Sequence, residues 1–141
     1  MPEKILAVDD EPDMLKLLSM IIREKTSYEI QTTNNPLEAL ELAKQGGFAL
    51  VITDLKMPGV DGIEILEGVK KIDEDIPVII LTAYGAMESA KEAMQKGAFD
   101  FITKPFKKEQ ILYTIERAFK MSRLQMENKM LRDKLKAVDS Q

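Results

Sequence analysis

The chain predicts an α/β domain built on a five-stranded parallel sheet covered by helices on both faces, and three observations lead there. Short apolar runs alternate five times with longer stretches of helical period, the pattern of strand–helix–strand units. The clearest run, residues 49–53 (ALVIT), is apolar nearly throughout, as expected of a strand covered on both sides. Every run except the second ends in a polar residue able to do chemistry, and in open α/β sheets ligands bind beyond the carboxyl ends of the strands.

The first strand is residues 4–8 (KILAV), ending at Asp9 and Asp10. Pro12 then stands where a first helical turn tolerates it, and Met14, Leu15, Leu18, Ile21 and Ile22 recur at helical spacing to form a buried stripe. A second strand, residues 28–33, leads into Asn34, Asn35 and Pro36 as a cap and helix start, with Leu37, Leu40 and Ala43 facing inward and Gly46 and Gly47 as the stop. The third strand ends at Asp54, and Pro58, Gly59 and Gly62 mark a loop before a helix carried by Ile63, Leu66 and Val69. Residues 77–81 form the fourth strand, ending at Thr82. The helix after it runs to about Lys96 with Ala90, Ala93 and Met94 on one face and Gly97 as its stop. The fifth strand, residues 99–103, ends at Lys104 and Pro105, and its alternation puts Phe99 and Phe101 on one face, opposite Asp100.

No Gly or Pro follows Pro105, so residues 107 to about 138 read as one extended helix. Its distal part carries a heptad. Met121, Asn128 and Leu135 fall at position a, and Leu124, Leu131 and Val138 at d, with Glu127 at g placed to meet Arg132 at e of a parallel partner. The expected organisation is a domain over residues 1–120 and a helical coiled-coil linker over 121–141, in a homodimer. The alternative is a helix packed back on its own domain.

Composition narrows the chemistry. A length of 141 residues, 45% hydrophobic and 31% charged, suits one domain. With no Cys there is no disulfide framework, zinc ribbon or thiol nucleophile. With no His there is no Ser-His-Asp triad, histidine metal cage or phosphohistidine, which leaves carboxylates, hydroxyls, lysines or a bound metal. Apolar runs such as residues 76–81 are far shorter than the roughly 20 residues of a membrane span, and the amino terminus lacks a signal-peptide pattern. A cytoplasmic protein with no membrane contact is expected. Residues 1–103 hold 10 basic and 19 acidic side chains, net −9, and residues 104–141 hold 10 basic and 5 acidic, net +5. The basic tail has no aromatic interleaving after Phe119, and reads as a solvated helix face with no direct nucleic-acid binding.

Asp9, Asp10 and Asp54 end the first and third strands, which are neighbours if the crossovers are right-handed. Three carboxylates together form a hard-oxygen, strongly negative pocket suited to Mg²⁺. Asp54 can act as a nucleophile toward a phosphoryl group. Lys104 would supply a fixed positive charge and Thr82 a hydroxyl donor. Read singly, Asp9 and Asp10 are equally a helix cap, Lys104 an ion-pair partner, Thr82 a strand-end hydroxyl and Phe101 a core ring.

The motifs VDDEP (8–12), VITDLKMPGVDG (51–62), ILTAYG (80–85) and FITKPF (101–106), in this order, resemble the receiver domain of bacterial two-component response regulators over residues 3 to about 120. The resemblance implies a flavodoxin-like strand order of 2-1-3-4-5. It implies Asp54 as phosphoacceptor, and Asp9, Asp10, Asp54 and the Lys56 backbone carbonyl as Mg²⁺ ligands. Thr82 and Lys104 match the family's hydroxyl and lysine, the Ala83 amide lies near the phosphoryl group, and Phe101 stands at the switch aromatic, where many relatives have Tyr. Lys56 and Tyr84 fall at positions that tune dephosphorylation. A narrower resemblance, in residues 83–106 and in Glu127, Asn128, Leu131 and Arg132, is to the receiver and linker of sigma-54-dependent activators of the nitrogen-regulatory and dicarboxylate-transport types. There an AAA+ ATPase and a DNA-binding domain follow. The 141 residues contain no GxxxxGK[ST] loop, so those output domains are expected in a longer, full-length protein.

The expected function is therefore a phosphorylation-activated switch. Asp54 takes a phosphoryl group from a sensor histidine kinase, and the face of helix 4, strand 5 and helix 5 changes to alter dimer packing and control transcription. The chain would be no enzyme beyond its own phosphoryl transfer and dephosphorylation. A phosphatase resembling the haloacid dehalogenase family would need a carboxylate where Lys56 stands. An FMN binder would need a hydroxyl-rich and amide-rich phosphate loop where Asp9, Asp10 and Glu11 stand. A coiled-coil adaptor with an inert pocket is the remaining reading.

Overall fold

The computed structural model describes residues 3–139 apart from 58 and 84, with side chains described as far as 136. Five strands alternate with five helices: β1 Lys4–Val8, α1 Pro12–Lys25, β2 Glu29–Thr33, α2 Pro36–Gln45, β3 Leu50–Asp54, α3 Gly62–Ile72, β4 Val78–Ala83, α4 Met87–Gln95, β5 Asp100–Lys104 and α5 Lys108–Asp139. The strands are parallel in the order β2-β1-β3-β4-β5. That is the order implied by the family resemblance.

Alternation along each strand feeds two apolar layers. Ile5, Ala7, Leu50, Ile52, Ile79, Leu81 and Ile102 pack under α1 and α5 with Leu18, Ile22, Ile111, Ile115 and Phe119. Leu6, Val8, Val51, Val78 and Ile80 pack under α2, α3 and α4 with Ala39, Ala43, Ile65, Leu66, Val69 and Ala93. The central strands β1, β3 and β4 therefore have no polar face, which explains their unbroken apolar runs, whereas the edge strand β2 keeps Glu29 and Thr32 exposed.

Local chemistry sets the helix ends. Pro12 and Pro36 open α1 and α2, and the Asn35 side chain accepts from the Leu37 and Glu38 amides at 3.0 and 3.5 Å. Asp61 caps α3 by accepting from the Glu64 amide at 2.9 Å. Gly97, at φ 105°, turns the chain after α4 in a conformation that side chains disfavour.

Several expectations shift. Leu37 is 64% exposed and Met94 38% exposed. Leu37 lies in the first turn of α2, and Met94 stands beside the alanines on which α4 rests. Ala39 with Ala43, and Ala90 with Ala93, make the contacts to the sheet, because small side chains let a helix approach closely. Met14 is only partly buried. Gly62 is the first residue of α3 rather than loop. Phe99 and Phe101 do not share a face: Phe99 packs with the α1/α5 layer and Phe101 with the other. The strand begins only at Asp100, so the alternation assumed through Phe99 does not hold. Helix α5 runs unbroken for 32 residues, its buried positions end at Phe119, and Met121, Leu124, Leu131 and Leu135 are exposed. The Val138 side chain lies outside the described residues.

Gly62 ties the fold to the carboxyl end of β3. A Cβ there would stand 2.8 Å from the Leu55 Cα and collide with the Asp54 carbonyl, while the Gly62 amide donates to the Leu55 carbonyl at 2.8 Å. Gly62→Ala is expected to lower stability by about 1–3 kcal/mol through overpacking against backbone, measured by urea unfolding.

Candidate functional site

Strand order brings the polar strand ends together. β3 lies between β1 and β4, so Asp9 and Asp54 leave adjacent strands, and Lys104 leaves β5, one strand further on. Register levels them: Asp54 pairs with Leu81, Thr82 with Thr103, and Ala83 with Lys104. The Lys104 side chain reaches back across the end of β4, with Nζ 3.0 Å from Asp9 Oδ2 and 3.3 Å from Asp54 Oδ1.

Asp9 is fully buried and Asp54 is 7% exposed. The Glu11 amide donates to Asp9 Oδ1 at 2.9 Å, and the Leu55 amide to Asp54 Oδ1 at 2.9 Å. Among the described residues every hydrogen bond and ion pair of the Asp54 carboxylate falls on Oδ1, which leaves Oδ2 without a partner. Asp10 and Glu11 are exposed, and one oxygen from each of Asp9, Asp10, Glu11 and Asp54 lies within 4.8 Å of the others. This all-oxygen, multiply charged set fits a hard divalent cation and offers nothing to a soft one. The cap reading of Asp9 and Asp10 is not met, since Glu11 occupies the N-cap of α1 and its own side chain makes no capping bond.

Burial and crowding of like charge shift the site's protonation. Asp54 is pushed up to about 6, first by burial and then by the Asp9 charge, with Lys104 and the Leu55 amide opposing. Burial also raises Asp9, against its bonds to the Glu11 amide and Lys104. For Lys104 burial works downward, and the hydrogen bond to Asp9 with the charges of Asp54 and Asp9 outweighs it, so the ammonium is held above its ordinary range.

Thr82 is 1% exposed, and among the described residues its hydroxyl makes only a long 3.4 Å bond to the Ala83 carbonyl, so it is free to turn to a better acceptor. Ala83, by contrast, is exposed at the end of β4. Lys56 is exposed in the loop after β3. Phe101 is half-buried against the α2/α3/α4 layer. Its amide donates to Asp100 Oδ1 at 2.8 Å, while Arg117 of α5 donates to Asp100 Oδ2 at 2.9 Å, so one carboxylate joins β5 to α5. Tyr84 lies outside the described residues. The sequence reading left Glu11 out of the acidic set. Its adjacency to Asp9 and Asp10 was the available signal, but which side of the first helical turn it takes follows from backbone direction.

A carboxyl group with a raised native pKa binds more protons in the folded than in the unfolded chain. Stability therefore falls as pH rises between the unfolded value of 3.8 and the folded value of about 6. Without divalent cations, Asp54→Asn is expected to be more stable than the parent near neutral pH, by on the order of 2 kcal/mol. The advantage should close as pH falls through that window, measured by urea unfolding at a series of pH values.

The sequence matches the family model of the response regulator receiver domain over residues 5–116. Sporulation initiation phosphotransferase F of Bacillus subtilis is 42% identical over 111 residues, which span 79% of this chain and 89% of that protein. The C4-dicarboxylate transport transcriptional regulatory protein DctD of Rhizobium meliloti is 33% identical over 128 residues, 91% of this chain and 28% of that protein. The crystal structure of NtrX from Brucella abortus superposes with a TM-score of 0.87 at 34% identity, covering 93% of this chain and 30% of NtrX. The chain thus spans under a third of the length of DctD and of NtrX. Fold, matched residues and relatives together lead to one conclusion: the chain belongs to the response regulator receiver domain family.

Proposed function

We propose that this chain is a phosphorylation-activated switch in which Asp54 accepts a phosphoryl group from a sensor histidine kinase. The observation that carries the reading is the Asp54 carboxylate itself, with Oδ1 fixed by the Leu55 amide and Lys104 while Oδ2 remains unengaged. Oδ2 attacks phosphorus, forming an O–P bond as the N–P bond to the kinase imidazole breaks. The electron pair stays on the imidazole nitrogen, which takes a proton from solvent. With a pKa of about 6, Asp54 is mostly ionised near neutral pH, as attack requires. Asp9, Asp10, Asp54 and the Lys56 carbonyl would hold Mg²⁺, which when bound supplies positive charge to offset the phosphoryl oxygens. Lys104, already at the Asp54 carboxylate, would pair with a phosphoryl oxygen, and the Ala83 amide and the Thr82 hydroxyl would donate to others.

Drawing the Thr82 hydroxyl toward the phosphoryl group vacates space beside β5, and Phe101 turns inward to fill it. Phe101 has no hydroxyl, so its inward position is held by packing alone. The Asp100 carboxylate, bound to the Phe101 amide and to Arg117, carries a shift of β5 into α5. The extended α5 pairs with a second copy through Met121, Leu124, Asn128, Leu131, Leu135 and Val138, and phosphorylation changes how the two protomers pack. The similarity to DctD and NtrX supports placing the switch ahead of AAA+ and DNA-binding output domains in a sigma-54-dependent activator, in the cytoplasm. Among the described residues no helix is long and apolar enough to cross a membrane.

Sedimentation with Mg²⁺, with and without beryllofluoride as a phosphoryl mimic, tests the switch. A change of mass or shape is expected in the parent and not in Asp54→Ala. The same response in both proteins would refute the assignment of Asp54. Thr82→Ala is expected to slow phosphorylation by a small phosphodonor by about 100-fold while leaving the fold intact, read by intact-protein mass spectrometry over time. Asn128→Leu should tighten association and admit other oligomeric states, since a polar residue at position a fixes register at a cost in stability.

A further inference from the structure

The site occupies one end of the sheet, and α5 leaves the domain at the other. β5 ends beside the site, and α5 returns antiparallel to it, so the chain beyond Phe119 passes the amino ends of the strands. That floor carries Glu3, just before β1, and Asp75, in the loop before β4. The Glu3 backbone is fixed by the Glu29 amide, which donates to its carbonyl at 2.9 Å. Among the described residues Glu3 Oε2 is buried and accepts no hydrogen bond, and the cation paired with it is Arg123, with Nη2 at 3.6 Å. Six residues on, Lys129 Nζ stands 3.9 Å from Asp75 Oδ2. Each pair joins the helical extension to a part of the domain far away in sequence.

We propose that Arg123 and Lys129 latch the extension onto the floor of its own receiver and so fix the direction and rotational phase in which the helix leaves the domain. Helical geometry decides which seam residues this latch leaves free. Ser122 and Lys129 border the cavities between helix and floor. Leu124 and Leu131 each lie two residues further, about 200° around the helix, and so face away. The latch therefore turns Leu124 and Leu131 outward, while Met121 and Asn128 of the same heptad border the cavities at the floor, so a second copy meets the d positions without breaking either ion pair. A buried carboxylate oxygen lacking a donor is unfavourable, which draws Arg123 toward Glu3. Exposed pairs are individually weak. Helix α5 is already nucleated by its packed first part, so the latch has only to limit fraying and bending.

The chain has no cysteine, so spin labels can be placed at Lys44→Cys and Lys136→Cys, with labelled chains diluted in unlabelled ones. A narrow distance distribution is expected in the parent. It should broaden when Glu3→Gln is combined with Asp75→Asn, and also when Arg123→Gln is combined with Lys129→Gln, which leaves the receiver's own residues untouched. Amide exchange over residues 121–136 should quicken by about two- to fivefold for each pair lost. The swap of Asp75→Lys with Lys129→Asp should restore the narrow distribution. Distributions and exchange rates that neutralisation leaves unchanged would overturn the latch. So would broadening that the swap fails to reverse.

Discussion

The reach of one ammonium group organises the polar end of this molecule. Asp9 and Asp54 are buried side by side on neighbouring strands, and without a shared cation their charges would repel in a poorly solvated space. Lys104 answers both from two strands away from β3, and only a long side chain spans the end of β4 to do so. The bridge works because the strand ends are level, and they are level because apolar layers on both sides of the sheet hold the register. Packing and electrostatics are thus one constraint. A slip in β3 would displace Asp54 from the lysine and turn its apolar residues to the wrong layer.

That dependence explains which features were legible in the sequence. The apolar runs of β1, β3 and β4 and the polar residues that end them could be read from periodicity alone, because strands covered on both faces admit little else than Val, Ile, Leu and Ala. The order of the strands came from the resemblance to receiver domains, since periodicity says nothing about which neighbours pair. Leu37 and Met94 were misplaced because α2 and α4 sit close to the sheet on alanines, a preference set by interhelical space. The alternation assumed through Phe99 failed because a strand begins where pairing begins. Asp9, Asp54 and Lys104 were legible as strand-end residues, whereas Glu11 was not, since its approach to them depends on how the chain turns into α1.

The two ends of the sheet do different work. At the carboxyl end, flexible polar groups surround one carboxylate with a free oxygen. At the amino end, ion pairs meet a helix that continues past the core. Between them the Asp100 carboxylate links the backbone beside Phe101 to Arg117 on α5, so a displacement at one end has a short covalent and hydrogen-bonded route to the other. The Asp100–Arg117 pair itself is partly exposed, and the close-packed elements on either side of it pass on displacements that they cannot absorb.

Of four clustered carboxylates, Asp54 is the one whose free oxygen and partial burial suit it to attack; Asp9 is fully buried with its oxygens held by Lys104 and the Glu11 amide. Trapping decides this directly. Borohydride reduces an aspartyl phosphate to homoserine, which peptide mass spectrometry locates after incubation with Mg²⁺ and a small phosphodonor. The account predicts homoserine at residue 54 and at no other aspartate. Homoserine at residue 9 or 10, or none from protein that has taken up phosphate, would contradict it.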